Sequence, residues 1–275
     1  MAEPEINAFL THLAVDDRVS ASTQTQALSA LLFLYRYVIG YQVGEIEGLV
    51  RARVTRRLPV VMTPQEITTL LAQLPEEYRL IASLLYGSGL RLMECLRLRV
   101  GELDFERGEV IVRRGKGDKD RVTMLPRSLT QPLQRHLQAV RRVHQRDLAD
   151  GWGRVTLPDA IERKYPNAPT EWAWQWVFPQ RTRWRNPQTG EQGRHHVHET
   201  LVQRAVKDAA RRSGIAKRVT CHTFRHSFAT HLLENGYDIR TIQQLLGHTS
   251  VNTTMIYTHV LNQGGLCVRS PLDRF

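Results

Sequence analysis

Cysteine is scarce in this sequence. Three occur in 275 residues, Cys95, Cys221 and Cys267, and no two form a C-x-x-C pair. That spacing excludes a zinc ribbon and a disulfide framework and fits a reducing compartment. Long hydrophobic runs are also missing, with no stretch approaching the roughly 18 apolar residues a membrane helix needs. The N-terminus, M-A-E-P-E, lacks the basic-then-apolar pattern of a secretory signal. The expectation is a cytoplasmic protein that neither enters nor crosses a membrane. There is no internal repeat and no low-complexity tract. What the chain has in excess is positive charge: 38 Lys and Arg against 27 Asp and Glu, a net charge of +11 and a pI near 10.1. This passes the threshold of about 9 at which phosphate-bearing partners are to be considered, a solvated basic surface being the plainer alternative.

Residues 5–48 read as two helices, the second with an apolar face of Leu28, Leu31, Leu32, Leu34 and Tyr35. The stretch R-A-R-V-T-R-R-L-P at 51–59 is basic and without periodicity, and reads as an exposed linker over about 51–62 between a domain at 1–50 and a second at 63–275. Thr63, Pro64 and Glu66 make a capping box that starts a helix. Another helix covers 77–87 and is broken by Gly87 and Gly89 just before Arg91. Over 103–126 the period changes, and β-rich runs split by two glycine turns predict a three-stranded meander whose tip carries Lys116 and Lys119. Helical pattern resumes at 128–149 and again from 198. The fold class expected is mainly α with a small three-stranded antiparallel sheet.

The stretch H-T-F-R-H-S at 222–227 opens a helix with three groups that are or can become cationic, His222, Arg225 and His226. A helix N-terminus favours anions, so cations gathered there are unfavourable unless they point into water or an anion is held among them. Taken singly, Arg91, Lys116 and Tyr257 all have plain readings: a surface charge, a turn residue and a core-edge aromatic. Taken in order, the series Arg91, Lys116, His222-x-x-Arg225, His248 and Tyr257, with the string L-L-G-H-T-S-V-N-T-T-M-I-Y, resembles the tyrosine recombinase (phage integrase) family over essentially all of 59–275. The resemblance implies a catalytic domain preceded by a helical core-binding domain of SAM-like type.

It further implies roles. Arg91 and Arg225 would clamp a scissile phosphate, since a planar guanidinium binds two oxygens at once where lysine cannot. Glu94 matches an acidic position that supports the active-site arginine, and His248 would be a further donor. Tyr257 would be the nucleophile; its hydroxyl, with an ordinary pKa of about 10, needs cations and a base to lose its proton. The family assigns the base to His222 and the acid for the leaving 5′-oxygen to Lys116. A 3′-phosphotyrosine would retain the bond energy, so neither metal nor nucleotide cofactor is expected. The partners implied are DNA and a homotetramer on two paired sites, in the bacterial cytoplasm and at the nucleoid.

All five tryptophans fall between 152 and 184, and R-H-H-V-H follows at 194–198. This stretch, about 150–197, looks like the extra segment of the integron integrases, a subgroup that moves gene cassettes and reads bases protruding from folded single-stranded sites. Trp174, His195 and His196 are the candidate base contacts, as stacking on aromatic rings would require. Alternation at 172, 174, 176 and 178 also permits a strand that buries its rings as core. His195, His196 and His198 raise the question of zinc, but no cysteine or acidic partner at ligand spacing accompanies them. Relatives begin with further helices, so the core-binding domain is expected to be shortened here, and the last residues to include a tail that packs on a neighbouring protomer. Two other readings stay open: a phage-type or chromosome-dimer-type recombinase without single-strand preference, and a DNA-binding protein that has lost cleavage.

Overall fold

The computed structural model describes residues 3–53, 59–113, 120–157, 159–188, 190 and 192–258. Contacts divide the chain into two compact units, Met1–Leu58 and Pro59–Phe275. In the first, helix α1 (Glu3–Val15) packs on α2 (Ala21–Phe33), whose N-cap Ser20 accepts a hydrogen bond from the Thr23 amide. Helix α2 runs on as a π-helical segment, Leu34–Ile39, closed by Gly40 in the left-handed region. Ile6 and Leu10 form its core with Leu28, Leu31 and Tyr35. Leu32 and Leu34, expected on that face, are exposed, because residues 28, 31 and 35 already complete a stripe at three- and four-residue spacing. Gln24 is buried and ties the outgoing chain down, donating to the carbonyls of Leu10 and Val50 and accepting from the Ala52 amide.

The second unit starts with α3 (Pro64–Ala72), where Thr63 and Glu66 make both bonds of the capping box. Helix α4 (Glu76–Gly87) buries Leu80, Ile81, Leu84 and Leu85, and a short α5 (Leu92–Leu96) follows. The meander is β1 (Leu103–Asp104), β2 (Glu109–Val112) and β3 (Arg121–Met124), antiparallel in that order. Val110 pairs with both Leu103 and Thr123, which sets the register. Helix α6 spans Thr130–Ala149. After the tryptophan-rich segment come α8 (Glu199–Arg212), α9 (Cys221–Glu234), α10 (Ile239–Leu246) and α11 (Val251–Met255), with α7 (Asp159–Lys164) lying inside that segment. The molecule is thus mainly α with one three-stranded sheet.

Helix α9 occupies the middle of this unit. Eight of its residues, from Cys221 to Thr230, are buried, so Arg225, Ser227 and Thr230 sit in protein while His222 stays exposed. Phe224 belongs to the main core while Phe228 and Ala229 face a second cluster with Ile242, Leu246 and Tyr257. Gly89 lets α4 and α9 close on each other: its φ is +62°, and a Cβ there would lie 2.5 Å from the Phe228 ring.

The rings at 172–178 do not form an alternating strand. Trp172–Trp174 is a 3-10 turn, and Gln175, Trp176, Val177 and Phe178 are buried consecutively. Both sides of this stretch meet protein, which removes the reason for alternation. The Val177 amide donates to the Leu98 carbonyl, the Val100 amide donates to the Gln175 carbonyl, and Gln175 donates to the carbonyls of Pro169 and Glu171. A two-stranded ribbon, β4 (Trp184–Arg185) with β5 (Gln192–Gly193), completes the segment.

Candidate active site

Arg225 is the largest fully buried side chain among the described residues, with no exposed surface. An isolated cation there would be costly, so its bonds matter. Nη1 donates to the Gly89 carbonyl, and Nη2 donates to the Leu246 carbonyl and to Nε2 of His248. Nε, equally buried, has no hydrogen-bond partner among the described residues. Burial, then the charge of Arg91, push the Arg225 pKa down to about 9, against the pull of Glu94. The group remains a cation at neutral pH with an unspent donor.

Its counter-charge is Glu94. The start of α5 places Arg91 at the N-cap and Glu94 three residues on, so that the carboxylate accepts from the Arg91 amide and its guanidinium. Arg121, from β3, adds a two-pronged pair to the same carboxylate at 3.0 and 2.6 Å, and its Nε donates to the Leu245 carbonyl. Arg225 lies 3.9 Å from it. Burial would raise the Glu94 pKa, but Arg121 and then Arg91 overcome that and hold it at about 2. One carboxylate therefore faces three guanidiniums, leaving a net excess of positive charge. Arg121 presses on Gly247, where φ is +62° and a Cβ would fall 2.7 Å from the arginine Cδ. This explains the glycine in L-L-G-H.

His248 is neutral. Burial, then Arg225 and Arg91, lower its pKa to about 3. Since Arg225 can only donate, Nε2 accepts; Nδ1 then carries the proton and donates to Thr254 Oγ1 at 2.9 Å. His222 is exposed, yet enough protein surrounds its ring that desolvation, followed by Arg225 and Arg91, lowers its pKa. Tyr257 is 1% exposed. Burial raises its pKa, and Arg225 and Arg91 oppose the rise. Its hydroxyl meets neither His222 nor an arginine at hydrogen-bond distance among the bonds of the site. It meets Nδ1 of His226 at 3.1 Å, and the His222 ring sits edge-on to His226 with centroids 4.4 Å apart.

The fold thus brings Arg91, Glu94, His222, Arg225, His248 and Tyr257 together around the start of α9. Lys116 lies outside the described residues, as does the C-terminal stretch from 259. One member of the site, Arg121, was missed in the sequence, and another, His226, was noted at the helix start but given no role in the chemistry. Arg121 had a signal, for on β3 it shares a face with Thr123, which is buried. His226 follows His222 by one helical turn and so shares its face.

The aromatic candidates form a separate place. His195 is exposed and stacks on Trp184, rings 7° from parallel and 4.7 Å apart. His196 stands edge-on to Trp176 and Trp174 packs on the small core of Val155, Leu157 and Ala168. His198 caps α8 through the Thr200 amide, so the three histidines serve different neighbours. Arg99 fastens the segment: it donates to the carbonyls of Trp174 and Thr156, and its guanidinium carbon lies 3.1 Å from the Trp176 ring centroid.

The model of the phage integrase family matches residues 60–263, and that of the phage integrase N-terminal SAM-like domain matches residues 1–45. An integrase/recombinase of Escherichia coli is 52% identical, covering 99% of this chain and 81% of that protein. Tyrosine recombinase XerD of Agrobacterium fabrum is 31% identical, covering 94% and 76%. The crystal structure of XerA recombinase aligns with a TM-score of 0.52 and 25% identity, over 98% of this chain and 84% of that one. With its family model spanning the unit that holds the arginine cluster, the chain belongs to the phage integrase family and is a tyrosine site-specific recombinase, an enzyme that cleaves and rejoins DNA.

Proposed function

We propose that the cluster at the start of α9 is the recombinase active site, with the scissile phosphate of DNA as the anion it holds. The observation that carries this is Arg225: a wholly buried guanidinium with an unspent Nε, beside a single carboxylate shared with Arg91 and Arg121. Substitution at phosphorus adds charge to the non-bridging oxygens, and preorganised buried donors stabilise it without reorganising. Arg91 and Arg225 are the clamp, Glu94 and Arg121 hold it rigid, and Tyr257 is the nucleophile. His222 supports proton removal and Lys116 protonates the leaving 5′-oxygen. His248 becomes a donor to a phosphate oxygen in the tautomer that carries its proton on Nε2, with Nδ1 then accepting from the Thr254 hydroxyl. No step calls for a metal, because guanidiniums stand where divalent ions would.

The finer reading is an integron-type recombinase that acts as a tetramer on paired sites, including folded single-stranded cassette sites. What supports it is the Trp184–His195 stack with an exposed histidine face, a platform for a base turned out of its helix. A recombinase without single-strand preference is favoured by the relatives named XerD and XerA. The test of the chemistry is Tyr257→Phe, which removes one hydroxyl: DNA affinity persists and the covalent protein–DNA adduct on nicked duplex vanishes. An adduct formed by the phenylalanine variant refutes the assignment.

A further inference from the structure

The nucleophile proposed above needs a group to take its proton, and the geometry around Tyr257 singles one out. Its hydroxyl is 3.1 Å from Nδ1 of His226. Arg91 and Arg225 carry no lone pair to offer. Both ring nitrogens of His248 are engaged, by Arg225 and Thr254. His222 contacts the His226 ring instead. The groups facing this pair are His222 and Arg225 from α9, His248 after α10, and Arg91 from the start of α5. Resting on Tyr257 as nucleophile, we propose that His226 is the residue that receives the tyrosine proton during strand cleavage.

The step balances. A bond forms between the Tyr257 oxygen and phosphorus, the bond from phosphorus to the 5′-oxygen breaks, and the tyrosine proton passes to Nδ1 of His226. The leaving 5′-oxygen takes its proton from a separate acid, Lys116 in the scheme above, and rejoining reverses each transfer. The resting state also follows. Burial, then His222 and Arg225, push the His226 pKa down to about 4, while burial raises that of Tyr257. The imidazole is neutral, and in the tautomer that carries its proton on Nε2 the Nδ1 lone pair accepts from the tyrosine hydroxyl, yet transfer is uphill until something changes. A phosphodiester held by Arg225 offsets the guanidinium charge that depresses His226. The same negative charge opposes a free phenolate, so the proton moves as the oxygen–phosphorus bond forms and not before. Transfer is thereby coupled to attack on the phosphate.

The decisive variant is His226→Asn. The asparagine Oδ1 stands close to where Nδ1 stood and accepts the tyrosine hydrogen bond, but it cannot hold the proton. The substrate is a duplex carrying the site selected by this protein from a random-sequence pool, with sulfur replacing the scissile 5′-oxygen. A thiolate leaves without an acid, so the leaving-group proton does not enter the rate. Single-turnover cleavage is expected to fall about 10²–10⁴-fold, the usual worth of a positioned base, and His226→Ala is expected to fall as far. DNA affinity and melting temperature are expected to stay at wild-type levels; if asparagine lowers the melting temperature, His226→Gln compared below both transitions carries the same test. Cleavage by His226→Asn within a few-fold of wild type reduces His226 to a hydrogen-bond partner and overturns the proposal. So does a full loss in His222→Asn alongside an unaffected His226→Asn. Peptide mapping of the wild-type adduct separates the two layers, because an adduct on a residue other than Tyr257 overturns the nucleophile itself.

Discussion

The arginine cluster at the start of α9 and the tryptophan-rich segment after α6 are built from the same kinds of side chain, guanidiniums and rings, to opposite ends. In the first, the buried Arg225 and the partly buried Arg91 and Arg121 are underneutralised: all three share Glu94, and His248 beside them is neutral because of burial and then of those charges. In the second, the arginines that hold the scaffold together are spent on their partners. Arg183 and Arg194 both pair with buried Asp147, whose carboxyl, despite desolvation, they hold below its ordinary pKa. Arg99 is used on backbone carbonyls and the Trp176 face. Exposed arginines remain there, Arg181 among them, but beside them a histidine ring stacked on Trp184 also faces outward. The contrast teaches that an arginine marks an anion site only when its donors exceed its partners, and that residue type alone does not distinguish scaffold from site.

The comparison breaks most visibly at Glu94. Glu94→Ala leaves Arg91, Arg121 and Arg225 crowded without a counter-charge, and is expected to cost about 3–5 kcal/mol, as for other buried pairs that lose one partner. A denaturant titration measures it, and loss of less than 1 kcal/mol contradicts the central role given to this carboxylate. The same group sets an acid dependence. Its folded pKa of about 2 lies below the ordinary 4.5, so its stabilisation is complete above the ordinary value and is lost as pH falls towards 2. The acid limb of the stability profile is expected to flatten in Glu94→Gln.

Next in size is Arg225→Lys, which keeps the charge but not the fork. Single-turnover cleavage under saturating DNA is expected to fall about 10²–10³-fold. The same exchange at Arg183 touches only scaffold and leaves the rate unchanged. Smaller again is Gly89→Ala. Its left-handed backbone and the 2.5 Å approach to Phe228 make a cost of about 1–3 kcal/mol, the range for overpacking a core, readable as a lower melting temperature. The smallest effect belongs to the aromatic segment. Replacing Trp174, His195 and His196 with alanine is expected to weaken binding of a hairpin with protruding bases several-fold or more, given about 1–3 kcal/mol per stacked base. Affinity for plain duplex, which rests on phosphate contacts, is expected to hold. Equal losses on both DNAs with a lowered melting temperature make the segment an appendage rather than a reader.

What was legible in the sequence was local. The Thr63–Glu66 capping box, the glycine-split meander and the four-residue spacings of the helices are each set by neighbours within one turn, and each is found where it is expected. Leu32, Leu34 and the rings at 172–178 were misread, because which face is inward depends on partners far along the chain. The H-x-x-R and L-L-G-H strings were legible as words, though not the geometry behind them. Arg121 reaches Glu94 across 27 positions and His226 reaches Tyr257 across 31. By itself the sequence determined the elements, the basic balance and the set of reactive side-chain types, since propensity, capping and charge are properties of residues and their near neighbours. Only the tertiary structure decided which arginines are paired, which histidine touches the tyrosine and which donor is left over, because burial and long-range contact set both the cost of a charge and its partner.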